Sequence, residues 1–239
     1  MIEKQRKICY NKLSDFSTEN RLDNEVYKFR SYSGEGIMKI YDISQEVFGC
    51  KVYPDDPTPK KTVIRSMERG DLYNLTEFSM CAHNGTHIDA PAHFFKNGKT
   101  VDEMNLNSFI GMAYVAEHNG VVLVEDALRI IKKAKEQDSD AAKRILIKGD
   151  AEVSVDAARV FADSQILLLG NESQTVGPEN APMEVHKILL SANVALLEGI
   201  RLSDVTEGAY FLNSAPINLS DAEGAPCRAV LISCSESKA

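Results

Sequence analysis

Cys81-Ala-His83-Asn-Gly85-Thr86-His87-Ile-Asp89-Ala-Pro91-Ala-His93-Phe94 carries three of the five histidines of a 239-residue chain. Histidines that serve a fold scatter along it; three of them with an aspartate in so short a stretch ask for a common cause. Neutral imidazole and carboxylate are the usual ligands of zinc, manganese and iron, so a metal site is favoured over a polar loop of separately satisfied side chains. A helix would put His83 and His87 on one face, but Asn84-Gly85 and Pro91 oppose a helix. In an extended chain, positions 83, 87, 89 and 93 lie on one side. At ~3.3 Å per residue, however, a straight strand holds His83 and His87 ~13 Å apart, at the limit for sharing an ion. A bend is therefore required, and Gly85 is the residue that permits it.

On either side of this stretch, short β-type runs alternate with helical ones. Lys39–Ser44, Thr62–Met67 and Leu75–Cys81 read as strands, the last two divided by the turn signal Glu68-Arg-Gly-Asp71. Met112–Glu117 and Arg144–Lys148 are further strands. Between them, Val124–Gln137 places Ala127, Ile130, Ile131 and Ala134 at helical spacing. Asp156–Ala162 reads as helix, Ile166–Leu169 as a buried strand, and Pro182–Ser191 as a helix with proline early in it. Val194–Leu197, Ala209–Asn213 and Cys227–Cys234 complete a mixed α/β pattern with a substantial sheet. Residues 1–37 differ: they mix charges without apolar periodicity and end in Ser-Tyr-Ser-Gly-Glu-Gly, the composition of an arm or linker. The expected organisation is an arm over 1–37 and one domain over 38–239.

With 27 basic and 35 acidic residues the net charge is −8, which opposes nucleic acid or an anionic membrane as a partner. A composition 44% hydrophobic and 26% charged is that of an ordinary globular chain. The longest apolar run, Ile188–Ile200, is broken by Ser191, Asn193 and Glu198 and falls short of a membrane span. No apolar stretch of secretory type follows the basic residues near Met1, so the expected location is the cytoplasm. Cys9, Cys50, Cys81, Cys227 and Cys234 contain no C-x-x-C pair and read as small buried side chains rather than a thiolate site.

The pattern His83-x-Gly85-Thr86-His87-x-Asp89-x-Pro91-x-His93 resembles the H-x-G-T-H-x-D-x-P-x-H signature of the metal-dependent cyclase family, which includes bacterial kynurenine formamidases. All seven specified positions match, and the resemblance runs from about Met38 to Cys234. It implies a swivelling β/β/α fold with a barrel-like mixed sheet, two divalent ions per chain (Zn2+ foremost, Mn2+ second) and a homodimer or larger assembly. It also implies two further ligands downstream, a histidine and then a glutamate twelve residues on, which His186 and Glu198 supply. His83, His87 and Asp89 would hold one ion. Asp89, His186 and Glu198 would hold the other, with Asp89 as the bridge. His93 would be the catalytic acid/base, a role that suits a group titrating near neutrality.

The substrate implied is a small amide, N-formylkynurenine first. A cyclic amide or imide of the isatin type is the alternative, and a metal or small-ligand binder on the same fold is the non-enzymatic one. Kynurenine formamidases carry a tryptophan in a W-P-G-D-like turn, whereas this chain has Val52-Tyr53-Pro54-Asp55-Asp56 and no tryptophan. Tyr53 is the candidate to stack on an aryl ring in its place. Gly170–Pro178, ahead of His186, reads equally as a pocket turn or a plain connection. Arg228 reads as an internal ion-pair partner and His118 as a turn residue. No G-x-S-x-G occurs, and Cys81 is the one thiol placed to test as a nucleophile.

Overall fold

A computed structural model describes residues 26–31 and 34–236. The chain opens with a hairpin of β1 (Val26–Ser31) and β2 (Gly34–Asp42). Both strands therefore begin before Met38, inside the stretch whose composition suggests an arm. Strand β1 pairs antiparallel with β2, Val26 opposite Lys39 and Ser31 opposite Gly34. A second hairpin, β3 (Lys60–Arg65) and β4 (Leu75–Ser79), stands outside the main sheet.

Next come the short β5 (His87–Asp89), then β6 (Ile110–Glu117), β7 (Gly120–Val122) and α1 (Val124–Gln137). They lead into β8 (Arg144–Lys148), β9 (Ala151–Val153), α2 (Val155–Asp163), β10 (Leu168–Asn171), α3 (Met183–Ser191) and β11 (Ala195–Glu198). The chain closes with β12 (Gly208–Asn213), β13 (Gly224–Pro226) and β14 (Val230–Glu236).

Ten strands form one mixed sheet in the order β1-β2-β14-β12-β6-β8-β10-β11-β5-β13. The centre, β6-β8-β10-β11, is parallel, and its flanks are antiparallel. Parallel strands are buried on both faces and read as unbroken apolar runs. Ile145, Ile147, Leu169 and Leu196 face the three helices, while Leu146, Leu168, Ala195 and Leu197 face a second core with Ile43, Ile88, Phe109 and Leu231. Helix α1 contributes Ala127, Ile130, Ile131 and Ala134 to the first core, the four positions its periodicity selects. Its exposed first turn is closed by Asp126, which accepts the Leu123 N–H at 3.1 Å. Ser154 does the same for α2, accepting from Ala157 at 3.2 Å.

The second core is enclosed because the sheet curls. β13 ends at Pro226 and β14 begins at Val230, a link of four residue steps that reaches at most ~14 Å. In the sheet order they stand seven places apart, which in a flat sheet at ~4.8 Å per strand is ~34 Å. Only a strongly curled, half-barrel sheet brings the two together. This also corrects the expectation of one strand over Cys227–Cys234. Strand β13 ends at Pro226, the Cys227 N–H making the last bond toward β5 on the Thr86 carbonyl at 3.0 Å, and a new ladder to β2 and β12 starts at Val230. Leu75–Cys81 is likewise shorter than expected, because the chain turns from Cys81 into the histidine stretch.

Candidate metal centre

The bend required of the sequence is a turn over Cys81–Thr86, closed by the Asn84 N–H on the Cys81 carbonyl at 3.2 Å and by the Asn84 carboxamide oxygen on the Cys81 N–H at 2.8 Å. Gly85 takes φ +69°, the left-handed region glycine enters freely. Thr86 pins the turn: its hydroxyl donates to the Gly199 carbonyl at 2.7 Å and accepts the Gln45 N–H at 2.9 Å. The His83 and His87 rings are consequently 5.2 Å apart. β5 then lies between β11 and β13, so that His87 is opposite Glu198 and Asp89 is opposite Gly224. Helix α3 delivers His186 from the other side.

These five side chains converge. His83 Nδ1 lies 2.8 Å from Asp89 Oδ1. His87 Nε2 is 3.3 Å from the same oxygen and 3.5 Å from Glu198 Oε2. His186 Nε2 is 3.1 Å from Glu198 Oε1 and 3.6 Å from Asp89 Oδ2. Two overlapping groups result, His83-His87-Asp89 and Asp89-His186-Glu198, each with ligand atoms within 4.8 Å of one another. Asp89 belongs to both, and its two oxygens face different histidines. Outer contacts hold the rings: His87 Nδ1 donates to the Gly85 carbonyl at 3.0 Å and His186 Nδ1 to the Pro182 carbonyl at 2.9 Å. With Nδ1 so engaged, Nε2 of each is the nitrogen left for a cation. Glu198 Oε1 accepts the Val176 N–H at 2.8 Å.

The charges explain what the site is built for. Burial disfavours the charged form of His87, but hydrogen bonds to Asp89 and Glu198 push it up to about 10. Burial opposes charge on His186 too, and Glu198 followed by Asp89 pushes it to about 9. Burial raises Asp89, yet hydrogen bonds from His83 and His87 hold it well below the usual carboxylate range. Burial and Asp89 raise Glu198, and His186 and His87 overcome both. Two buried carboxylates facing three imidazoles are thus balanced by protons, or by cations that displace those protons. The donor set, three imidazole nitrogens and two carboxylates of which Asp89 is shared, fits divalent ions of the zinc and manganese type.

His93 sits in the short helical turn after β5 and its ring centre is 4.1 Å from that of His83 and 6.3 Å from that of His186. Burial, and the neighbouring histidines against the pull of Asp89, lower its pKa. That shift favours the neutral imidazole, the form able to take a proton. Gly170–Pro178 serves both as connection and as site wall: the Val176 N–H holds Glu198, and the Ser173 carbonyl accepts the Gly199 N–H at 2.7 Å. A backbone donor of this kind has no signature in a sequence.

Tyr53 is half-buried, and its hydroxyl donates to the Glu179 carbonyl at 3.1 Å, while Lys51 pairs with the Glu179 carboxylate at 2.8 Å. This strap is tied three residues ahead of Pro182, the residue that orients His186. His118 turns away toward the Val121 carbonyl, and Arg228 forms the internal pair with Asp42. Burial pushes the Cys227 thiol up to about 12, which removes it as a nucleophile. Glu223, which no sequence pattern singles out, lies 3.3 Å from His83 Nε2.

A family model described as "Putative cyclase" matches residues 41–178. The kynurenine formamidase of Salinibacter ruber (strain DSM 13855 / M31) is 30% identical over 211 residues, covering 81% of this chain and 97% of the relative. A solved structure described as a potential metal-dependent hydrolase with cyclase activity is 32% identical, with a TM-score of 0.69, covering 82% of this chain and 98% of the other. Isatin hydrolase A from Labrenzia aggregata shares the fold at a TM-score of 0.69 and 19% identity, covering 82% of this chain and 93% of its own.

Proposed function

The chain belongs to the putative cyclase family, and on that premise we propose that it is a metal-dependent hydrolase of a small amide, acting on N-formylkynurenine to release kynurenine and formate. The observation that carries the reading is the pair of ligand groups sharing Asp89 with His93 alongside. His83, His87 and Asp89 would hold one divalent ion, and Asp89, His186 and Glu198 a second. Zn2+ suits the nitrogen-rich set best, with Mn2+ next. Bound there, the ions supply Lewis acidity toward the amide carbonyl and a lowered pKa for water.

The chain's own residues do the rest. Neutral His93 accepts a proton as water oxygen bonds to the formyl carbon. It then returns that proton to the departing nitrogen as the C–N bond breaks, leaving formate and the free amine. Asp89 and Glu198, held ionised, offer two negative charges to cations that displace the imidazole protons. Tyr53 is the residue we assign to the aryl ring of the substrate, in the position where kynurenine formamidases carry tryptophan.

Two features of the wider molecule complete the reading. No helix among the described residues is long and apolar enough to cross a membrane. The free thiols of Cys50, Cys81 and Cys227 suit a reducing compartment, in keeping with a cytoplasmic enzyme. The β3–β4 hairpin exposes Val63, Leu72, Tyr73 and Phe78, and a second copy of the chain is the partner we assign to it, giving a homodimer.

The test is to strip the protein of metal, restore Zn2+ or Mn2+, and assay N-formylkynurenine and simpler aryl formamides beside isatin and small lactones. Metal-restored cleavage of the aryl formamides is expected. Preferential opening of isatin would move the assignment to cyclic amides. Two ions bound without turnover of any of them would make the protein a binder, and activity indifferent to chelator would revive Cys81.

A further inference from the structure

We propose that Glu223 is a positioning residue for His83, holding the imidazole so that Nδ1 faces Asp89 and the first ion. The proposal rests on the metal-centre reading above and concerns a residue outside the ligand set. His87 and His186 each have a backbone carbonyl on the nitrogen turned away from the carboxylates. For His83, the ring nitrogen turned away from Asp89 is Nε2, and what faces it is the Glu223 carboxylate at 3.3 Å. His83 also needs such a partner most. Its side chain is 14% exposed, against 2% for His87 and 5% for His186, so less packing restrains its rotation.

The backbone places Glu223 for this. Its carbonyl accepts the Ala90 N–H at 2.9 Å, and the next residue, Gly224, pairs with Asp89 in the β5–β13 ladder. The His83 ring lies directly against Gly224: a Cβ there would stand 2.6 Å from His83 Cε1. The start of β13 and the residue just before it thus supply both the flat surface under the ring and the carboxylate at its edge. A carboxylate accepting the Nε2–H fixes the tautomer that leaves the Nδ1 lone pair free, and raises its basicity toward a cation. Since the His93 ring lies 4.1 Å from that of His83, the same contact sets the surface against which His93 packs.

The experiment measures metal affinity without substrate. Wild type, Glu223→Ala and Glu223→Gln proteins are stripped of metal and titrated with Zn2+ against a chromophoric chelator, with melting temperatures of the metal-free forms in parallel. Wild type is expected to take two ions. Glu223→Ala should bind one with unchanged affinity and the other about 10–100-fold more weakly, the usual cost of losing such an outer partner. Glu223→Gln, which retains an acceptor oxygen but no charge, should fall between. The Glu223 side chain is 47% exposed, so the metal-free melting temperatures should coincide. Wild-type affinity at both steps in Glu223→Ala would overturn the proposal. Equal weakening of both steps with a lowered melting temperature would overturn it too, as loss of structure. A wild type that takes no ion would instead remove the metal centre itself, a result distinct from either.

Discussion

Under the proposed function, His93 is the residue that would separate catalysis from metal binding, because it lies beside the candidate ligand cluster without belonging to either group. His93→Ala should keep its metal content and lose about 10²–10⁴-fold in amide turnover, the usual worth of a positioned acid/base. The loss should be smaller on activated aryl esters, whose leaving groups need no proton. Near-normal amide turnover would refute the role, and loss of one ion would make His93 a ligand. Tyr53 is tied by its hydroxyl to Glu179, leaving its ring as the part able to meet substrate. Tyr53→Ala should raise KM for aryl formamides more than for aliphatic formamides, since stacking in the ground state is what it removes. Equal changes for both classes would take Tyr53 out of the pocket. At this scale the histidine stretch was legible: its even spacing and the need for a bend at Gly85 follow from strand geometry. The Glu223 contact was not, because 140 residues separate it from His83 and neither neighbour advertises the other.

Among the elements, the β3–β4 hairpin stands apart. Every residue of its two strands is exposed, and it pairs with no strand of the main sheet. A two-stranded hairpin by itself is marginal in water, while Val63 at 48% and Phe78 at 56% exposure offer apolar surface to a partner. Lys61 pairs with Phe78 and Val63 with Thr76, so Val63 and Phe78 share one face of the ribbon. Val63→Glu/Phe78→Glu should therefore halve the mass seen by light scattering at a concentration where wild type is dimeric, leaving metal content unchanged. A wild type that is monomeric, or a double variant that stays dimeric, would refute the assignment. Element type was readable where burial imposes a period. Helix α1 shows its four inward positions, and the central strands show as apolar runs because both of their faces are covered. Strand β7 was not readable, since three residues are too few to show a period.

Across the whole molecule, the ligand cluster ties together parts that the chain otherwise connects only through long detours: the Cys81–Thr86 turn, β5, α3 and β11. Ions bound there stabilise the folded chain in proportion to their occupancy, so a chelator should lower the melting temperature. The size of the drop depends on pH with a definite sign. His87 and His186 are raised to about 10 and about 9 in the metal-free fold, above the ~6.5 of an unfolded histidine. Their ion pairs with Asp89 and Glu198 therefore contribute fully below ~6.5 and fade as pH rises toward 9–10. Protons compete with the ions over the same range. The gap between metal-loaded and metal-free melting temperatures should accordingly widen from pH 6.5 to pH 8.5. A gap that is constant or narrows would show that the imidazoles are not protonated in the metal-free site.

By itself, the sequence determined the spacing of the candidate ligands at 83–93, the alternation of strands and helices, and the burial of the central strands on both sides. These are local properties: spacing along a strand and periodicity around a helix depend on residues a few positions apart. The family resemblance implied that His186 and Glu198 join Asp89 and that the sheet is barrel-like, but only the tertiary structure decided which strands bring those residues together and that Val176 and Glu223 stand behind them. Each of those depends on which distant strand pairs with β5. That choice is made by backbone hydrogen bonds and by the closure of two cores, which every extended segment can offer equally and no single stretch of sequence encodes.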